Sequence, residues 1–254
     1  MSDTIVGDIV SGAKYTITDN FDDKSKPYVC RGVIKRKYIH ACQNEGRDFY
    51  YTDTGYFGNF ISEGNPSGKK IWVRLVKNEL QKSVIEDRPA DRWNNLVKGD
   101  PRLKWPGWKT RGRKILFILP NPKSCDFFGI DFHSWKAETL DTIRKNTDMP
   151  IIIREKGSRG ERNHHTIYSA LDDGVFATVA FNSIAAIESI AYGIPAFVSV
   201  SCAALPLAST DLTQINKPYY PDERLVKKHC HNLAYGQFTS DEICNGTAWK
   251  LMNI

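Results

Sequence analysis

No apolar run in this chain reaches the ~18 residues that a membrane-spanning helix needs, and the polar N-terminus lacks a signal-peptide apolar core. A soluble cytoplasmic protein with no membrane partner is therefore expected. None of the six cysteines (Cys30, Cys42, Cys125, Cys202, Cys230, Cys244) forms a CxxC pair, which argues against zinc ribbons and dithiol redox motifs. Several lie in apolar runs and read as reduced, buried thiols. Histidine is also scarce. His164 and His165 are neighbours whose side chains would point apart on a helix, and His229-Cys230-His231 has no second cluster beside it, so no metal site is expected. The GxxxxGK[ST] pattern of a P-loop is missing, and there is neither an internal repeat nor a low-complexity tract. Acidic residues are outnumbered, 29 against 35 basic, giving a net charge of +6 and a pI near 8.9. That mild excess suits a polyanionic partner or a phosphate-bearing ligand.

What is present is organised around residues 175–200. Residues 175–181 form a continuous apolar run, the pattern of a parallel strand covered on both faces. Asn182 and Ser183 are N-cap residue types. Ile184, Ile187 and Tyr192, with small alanines between them, predict a helix that packs close to a sheet, and Gly193 ends it. Residues 194–200 re-enter the sheet. The turn of such a unit sits at the carboxyl end of its first strand, where open α/β sheets bind ligands. There the amides of Asn182, Ser183 and Ile184 would face an anion, aided by the helix dipole. Glu188 follows about one and a half turns in, suitably placed to accept hydrogen bonds from a sugar hydroxyl. The same residues also fit a plain strand–helix–strand unit with Glu188 on a solvated face.

The stretch Phe181-Asn-Ser-Ile-Ala-Ala-Ile-Glu188, followed by Tyr192-Gly-Ile-Pro-Ala196, resembles the donor-binding half of GT-B glycosyltransferases. Its Glu…Gly-Ile-Pro continuation is similar to capsule-polysaccharide and phage-encoded glycosyltransferases. The resemblance spans roughly residues 114 to 252. It implies an α/β, GT-B-like fold of two Rossmann-like halves facing across a cleft. The expected halves are residues 1–110 on the acceptor side and residues 111–254 for the nucleotide sugar, with terminal helices returning toward the first half. It also implies a nucleotide sugar, UDP-linked by expectation, as co-substrate with no further cofactor. Ser183 would help hold the donor diphosphate and Glu188 the ribose. Absence of a DxD pair points to a metal-independent mechanism. The basic tryptophan-bearing segment, the basic pI and the similarity to phage glycosyltransferases make a hydroxymethylated base such as 5-hydroxymethylcytosine in double-stranded DNA the expected acceptor, with the host cytoplasm as compartment if the chain is phage-encoded. The alternatives are a polysaccharide or lipopolysaccharide acceptor, or a non-catalytic nucleic-acid-binding protein.

Elsewhere, residues 27–53 read as a strand–helix–strand unit with a parallel crossover. It ends in a glycine-punctuated loop carrying Asp53, either the general base that deprotonates an acceptor hydroxyl or a cap of its own turn. Residues 15–18 suggest a short edge strand, and residues 70–77 alternate polar with apolar, predicting a strand with one wet face. Residues 92–114 concentrate eight basic residues and three tryptophans around Pro101, Pro106, Gly107 and Gly112. Arg92, Trp93, Lys104, Trp105, Trp108, Lys109, Arg111 and Arg113 are the candidates for binding nucleic acid. Cations there would contact phosphates, and flat rings would stack on or wedge between bases. The same segment also reads as an interdomain connector whose tryptophans pack into both halves, with its lysines in solvent. After a strand at residues 150–153, Arg154, Lys156 and Arg159 cluster in a glycine-bearing loop, as cations that would stabilise a leaving diphosphate.

Overall fold

The computed structural model describes residues 4–13, 20–58, 72–155 and 166–252. The chain divides into two compact units, residues 1–82 with 233–254, and residues 83–232.

The first unit carries α1 (Thr4–Gly12), β1 (Tyr28–Arg31), α2 (Arg36–Glu45), β2 (Phe49–Thr54) and β3 (Val73–Lys77). Its C-terminal contribution is β8 (Gln237–Phe238), α9 (Ser240–Cys244) and α10 (Thr247–Met252). Strand order is β1-β2-β3-β8. β1 and β2 are parallel, as the crossover through α2 requires, whereas β3 runs antiparallel to both its neighbours. Ile9, Tyr50, Val73, Leu75, Phe238, Ile243 and Trp249 share one buried cluster, and the Trp249 indole N–H donates to the Ile9 carbonyl at 2.8 Å. Helix α1 lies in a stretch from which no helix was expected, and residues 15–18 fall outside the described residues.

β3 corrects the expectation of one wet face. Val73 to Val76 are all buried. Its polar position, Arg74, is covered because its guanidinium donates to the carbonyls of Leu80 (3.1 Å) and Thr54 (2.7 Å). A buried cation with such acceptors gives the alternating pattern of a half-exposed strand without exposing it.

The second unit holds α3 (Asp91–Gly99), a 3-10 turn at Pro101–Leu103, β4 (Lys114–Ile118), α4 (Pro122–Phe127), α5 (Phe132–Asn146), β5 (Ile151–Arg154), α6 (Ile167–Leu171), β6 (Val175–Ala180), α7 (Ile184–Ala191) and β7 (Ala196–Val198). Helix α8 (Glu223–Ala234) ends at the division between units. The sheet is wholly parallel, in the order β5-β4-β6-β7. Ile115, Phe117, Val179, Phe181 and Phe197 fill its core with Trp135 and Ile143 of α5. Burying each of these large side chains contributes about 1.5–3 kcal/mol before entropy is counted.

The expected boundary at residue 110 differs from this division. Residues 83–110 belong to the second unit, and the backbone shows why. The Lys109 amide donates to the Gly193 carbonyl at 2.7 Å, and Arg113 donates to Gly174 at 2.9 Å. Gly193 has φ +82°, and a Cβ there would lie 2.1 Å from the Gly107 carbonyl oxygen. The glycine of the Gly-Ile-Pro stretch is thus both the left-handed end of α7 and the place where the basic segment lies against it.

Candidate functional site

In the second unit the connection from β4 runs to β5 on one side, and the chain then crosses to β6 and β7 on the other. Strand order therefore reverses between β4 and β6, and ligands of open parallel sheets bind outside the carboxyl ends at such a point. Two turns lie there. The one after β4 leads to Asn121, whose side chain caps α4 by accepting from the Lys123 amide at 3.0 Å. The one after β6 leads to Ser183, whose hydroxyl accepts from the Ala185 amide at 3.2 Å and caps α7. Amides of Ser199 and Val200 donate to the Phe181 carbonyl and hold this turn against β7. Asn182, Ser183 and Ile184 all keep partial solvent exposure. As expected from sequence, Ser183 starts the helix. Its hydroxyl serves the cap, so anion binding there would fall to first-turn amides, which lack intrahelical partners.

Glu188 departs from the solvated reading. It is only partly exposed, and burial pushes its carboxyl up to about 8. The positive charges of Arg154 and Arg102 act in the opposite direction, while Asp100 adds to the rise. Desolvation exceeds the attraction of two cations, so at neutral pH this carboxyl is largely protonated and can donate a hydrogen bond as well as accept. Arg154, at the end of β5, is half-buried. Burial holds its guanidinium below the ordinary range, and Glu188 partly offsets that. The charges of Arg154, at the start of the predicted loop, and of Glu188 are close enough to act on one another. Lys156 and Arg159 lie outside the described residues.

Sequence reasoning missed three partners of this cluster as site residues. Asp100 is buried and holds Arg102 through two bonds, Nε to Oδ1 at 2.8 Å and Nη2 to Oδ2 at 3.1 Å. The Arg102 guanidinium lies 5.1 Å from the ring centroid of buried Tyr168. Asp100-Pro101-Arg102 carries a legible local signal, an Asp cap with Pro at the first position of a turn. Nothing local announces that this turn lies beside a helix so distant in sequence.

The basic tryptophan segment corrects one expectation. Trp93 is buried in α3, and Trp105 and Trp108 are half-buried, packed edge to face at 5.0 Å. Trp108 also packs on Tyr220 and donates to the Pro221 carbonyl at 3.1 Å. The rings are thus engaged within the second unit rather than presented as open stacking faces. Lys109 sits 3.3 Å from the Tyr192 ring centroid, a cation–π contact. Lys104, Arg111 and Arg113 are exposed and Arg92 partly so.

Asp53 belongs to the first unit, on β2. Its carboxylate accepts from the Thr54 amide at 2.7 Å and the Tyr51 hydroxyl at 3.2 Å, and lies 3.6 Å from Arg74 Nη2. These partners orient it, and the Thr54 bond is also what a turn cap would make. Among the described residues no group of three or more His, Cys, Asp or Glu side chains could hold a metal ion. No helix among them is long and apolar enough to cross a membrane.

Neither a protein-family model nor a curated protein sequence matches this chain. Among solved structures it is similar to the beta Kdo 2,7 transferase of Thermosulfurimonas dismutans KpsC, at 12% identity and a TM-score of 0.56, covering 100% of this chain and 97% of that one. It is also matched to the beta Kdo 2,4 transferase of the same KpsC, at 10% identity and a TM-score of 0.46, over 80% and 78% of the two chains. An overlap at that second level adds nothing to the fold assignment. The first extends over nearly all of both chains, and with the two sheets described above it supports a mixed α/β, GT-B-like fold for this protein.

Proposed function

We propose that the chain is a glycosyltransferase, moving a sugar from a nucleotide-sugar donor to a hydroxyl of a saccharide acceptor. The observation that carries this reading is a desolvated Glu188, under the charge of Arg154, on the helix capped by Ser183 at the strand-order reversal of a parallel sheet. The fold similarity to a Kdo transferase supports it and favours a saccharide over a DNA base. The DNA acceptor has lost its main support, because the tryptophans meant to stack on bases are engaged with the protein.

In this reading the first-turn amides of α7 take a phosphate of the donor, and Arg154 offsets the charge that builds on the leaving nucleotide. Lys156 and Arg159 are proposed to add to that cation set. Glu188 hydrogen-bonds the ribose. Its neutral form avoids placing a negative charge beside an anionic donor. Asp53 is the acceptor-side base, oriented by Arg74, Tyr51 and the Thr54 amide to accept the hydroxyl proton as the bond forms.

The test is incubation of the full chain with uridine-, guanosine- and cytidine-linked sugars, Kdo among them. Oligosaccharides and DNA containing 5-hydroxymethylcytosine serve as acceptors, and products are read by mass spectrometry and nucleotide release. A mass gain on an oligosaccharide is expected. A gain on DNA alone would restore the DNA acceptor, and no turnover or donor hydrolysis with any pair would refute the enzyme reading.

A further inference from the structure

Asp53, Arg74 and Gln237 occupy one row across the sheet of the first unit. Asp53 of β2 faces Arg74 of β3, and Arg74 faces Gln237 of β8. Side chains of such register partners project to the same side of the sheet, opposite to Val73, Leu75 and Phe238, which join the core cluster. Arg74 and Gln237 are nonetheless buried, 6% and 0% exposed. Burying two polar side chains costs stability unless their groups are bonded, and apolar residues in the same places would serve the sheet as well. What the two side chains bond is the turn that follows Asp53. Arg74 Nη1 donates to the Thr54 carbonyl at 2.7 Å. Gln237 Oε1 accepts from the amides of Tyr56 (2.7 Å) and Phe57 (2.9 Å), and its Nε2 donates to the Phe57 carbonyl at 3.1 Å. Two amides converging on one end of the carboxamide fix that end as the oxygen. The turn is thus held through its main chain by a residue 180 positions after Phe57.

We infer that Gln237 is a positioning residue: with Arg74 it fixes the backbone after β2 and, through it, the direction in which the Asp53 carboxylate points. That carboxylate is bonded to the first residue of the held turn, accepting from the Thr54 amide at 2.7 Å. A shift of the turn is therefore a shift of Asp53. A base must lie within hydrogen-bond reach of the proton it takes, so a small displacement costs rate. The catalytic part of the inference rests on the reading of Asp53 as acceptor-side base; the holding of the turn does not.

The full chain is compared with Gln237→Met, which keeps the length of the side chain without its bonds, and with Gln237→Glu, whose carboxylate still accepts from both amides. In 15N-labelled protein, hydrogen exchange at the Tyr56 and Phe57 amides should speed up by about tenfold or more in Gln237→Met, while the β1–β2 ladder exchanges as in the wild type. The Thr54 amide resonance, which reports the bond to Asp53, should move in the same variant. With the donor and saccharide identified by mass spectrometry, Gln237→Met should lower kcat by about ten- to a hundredfold with the donor KM retained, and Gln237→Glu should recover most of that loss. Added to Asp53→Asn, Gln237→Met should cost nothing more, because a residue acting through Asp53 has no effect once the base is gone. Unchanged exchange in Gln237→Met, full kcat despite faster exchange, or a loss that multiplies with that of Asp53→Asn would each overturn the inference. Should Gln237→Met fail to fold, Gln237→Asn, polar but one methylene shorter, is judged by the same criteria. If the wild type transfers no sugar, or Asp53→Asn keeps full kcat, the base reading fails and takes the catalytic part with it. Exchange and the Thr54 resonance then decide whether Gln237 orients the turn.

Discussion

Replacing Glu188 by Gln tests the central physical claim about the site, because glutamine has the shape of the neutral carboxyl and cannot ionise. In the unfolded chain Glu188 titrates near its ordinary value of 4.5, whereas burial in the folded protein pushes it up to about 8. Across that window the unfolded state has released a proton that the folded state still holds. Stability contributed by this group therefore falls as pH rises from the lower value to the upper, and stays reduced beyond it. A shift of this size corresponds to about 5 kcal/mol if the group were wholly cut off from water. Its partial exposure reduces that to about 2–3 kcal/mol through screening and relaxation. Glu188→Gln should thus match the wild type at about pH 5 and exceed it by roughly 2–3 kcal/mol at about pH 9. Urea unfolding followed by tryptophan fluorescence at the two pH values gives the comparison, and groups common to both proteins cancel in the difference. A variant-minus-wild-type difference that is the same at both pH values would refute the buried, protonated state. Loss of donor affinity in the same variant at neutral pH should be modest, since the neutral forms resemble each other.

Thr178 lies at the centre of β6 with its hydroxyl buried and without a hydrogen-bond partner among the described residues, so Thr178→Val should stabilise by about 1 kcal/mol in urea unfolding. Gly193→Ala meets the Gly107 carbonyl and must adopt a positive φ; a loss of about 2–4 kcal/mol is expected, and an unchanged melting temperature would contradict the docking of the basic segment on α7. Asp53→Asn separates base from cap: as base it should lower kcat by about a hundredfold or more with the melting temperature retained. A lowered melting temperature with kcat intact would leave Asp53 as the cap of its turn. Arg154→Gln should weaken nucleotide binding by about tenfold while sparing the fold, and equal affinity would remove it from the anion site.

The parallel units were legible because their signals are local. The run at residues 175–181 needs only its own apolar side chains to read as a buried strand, and Ser183 and Gly193 mark the helix between by cap chemistry that acts over a few residues. The unit over residues 27–53 was legible on the same terms, with Gly46 at φ +65° closing α2. β3 misled because alternation reports polarity and not exposure: Arg74 is polar and buried, satisfied by carbonyls that its own sequence neighbourhood does not reveal. The tryptophans of the basic segment misled likewise, since composition cannot tell a ring offered to a ligand from one packed on Tyr220.

By itself, then, the amino-acid order determined the α/β class, the helix that starts at Ser183, and the placement of Glu188 on that helix. All of these depend on interactions spanning a turn or two. Tertiary structure alone decided that residues 83–110 pack with the second unit, that β8 adds a strand to the sheet of the first, and that the charges of Asp100, Arg102 and Arg154 act on Glu188. The physical reason is that a carboxyl's protonation is set by how much water surrounds it and which charges are near. Both are properties of packing between segments far apart in the chain.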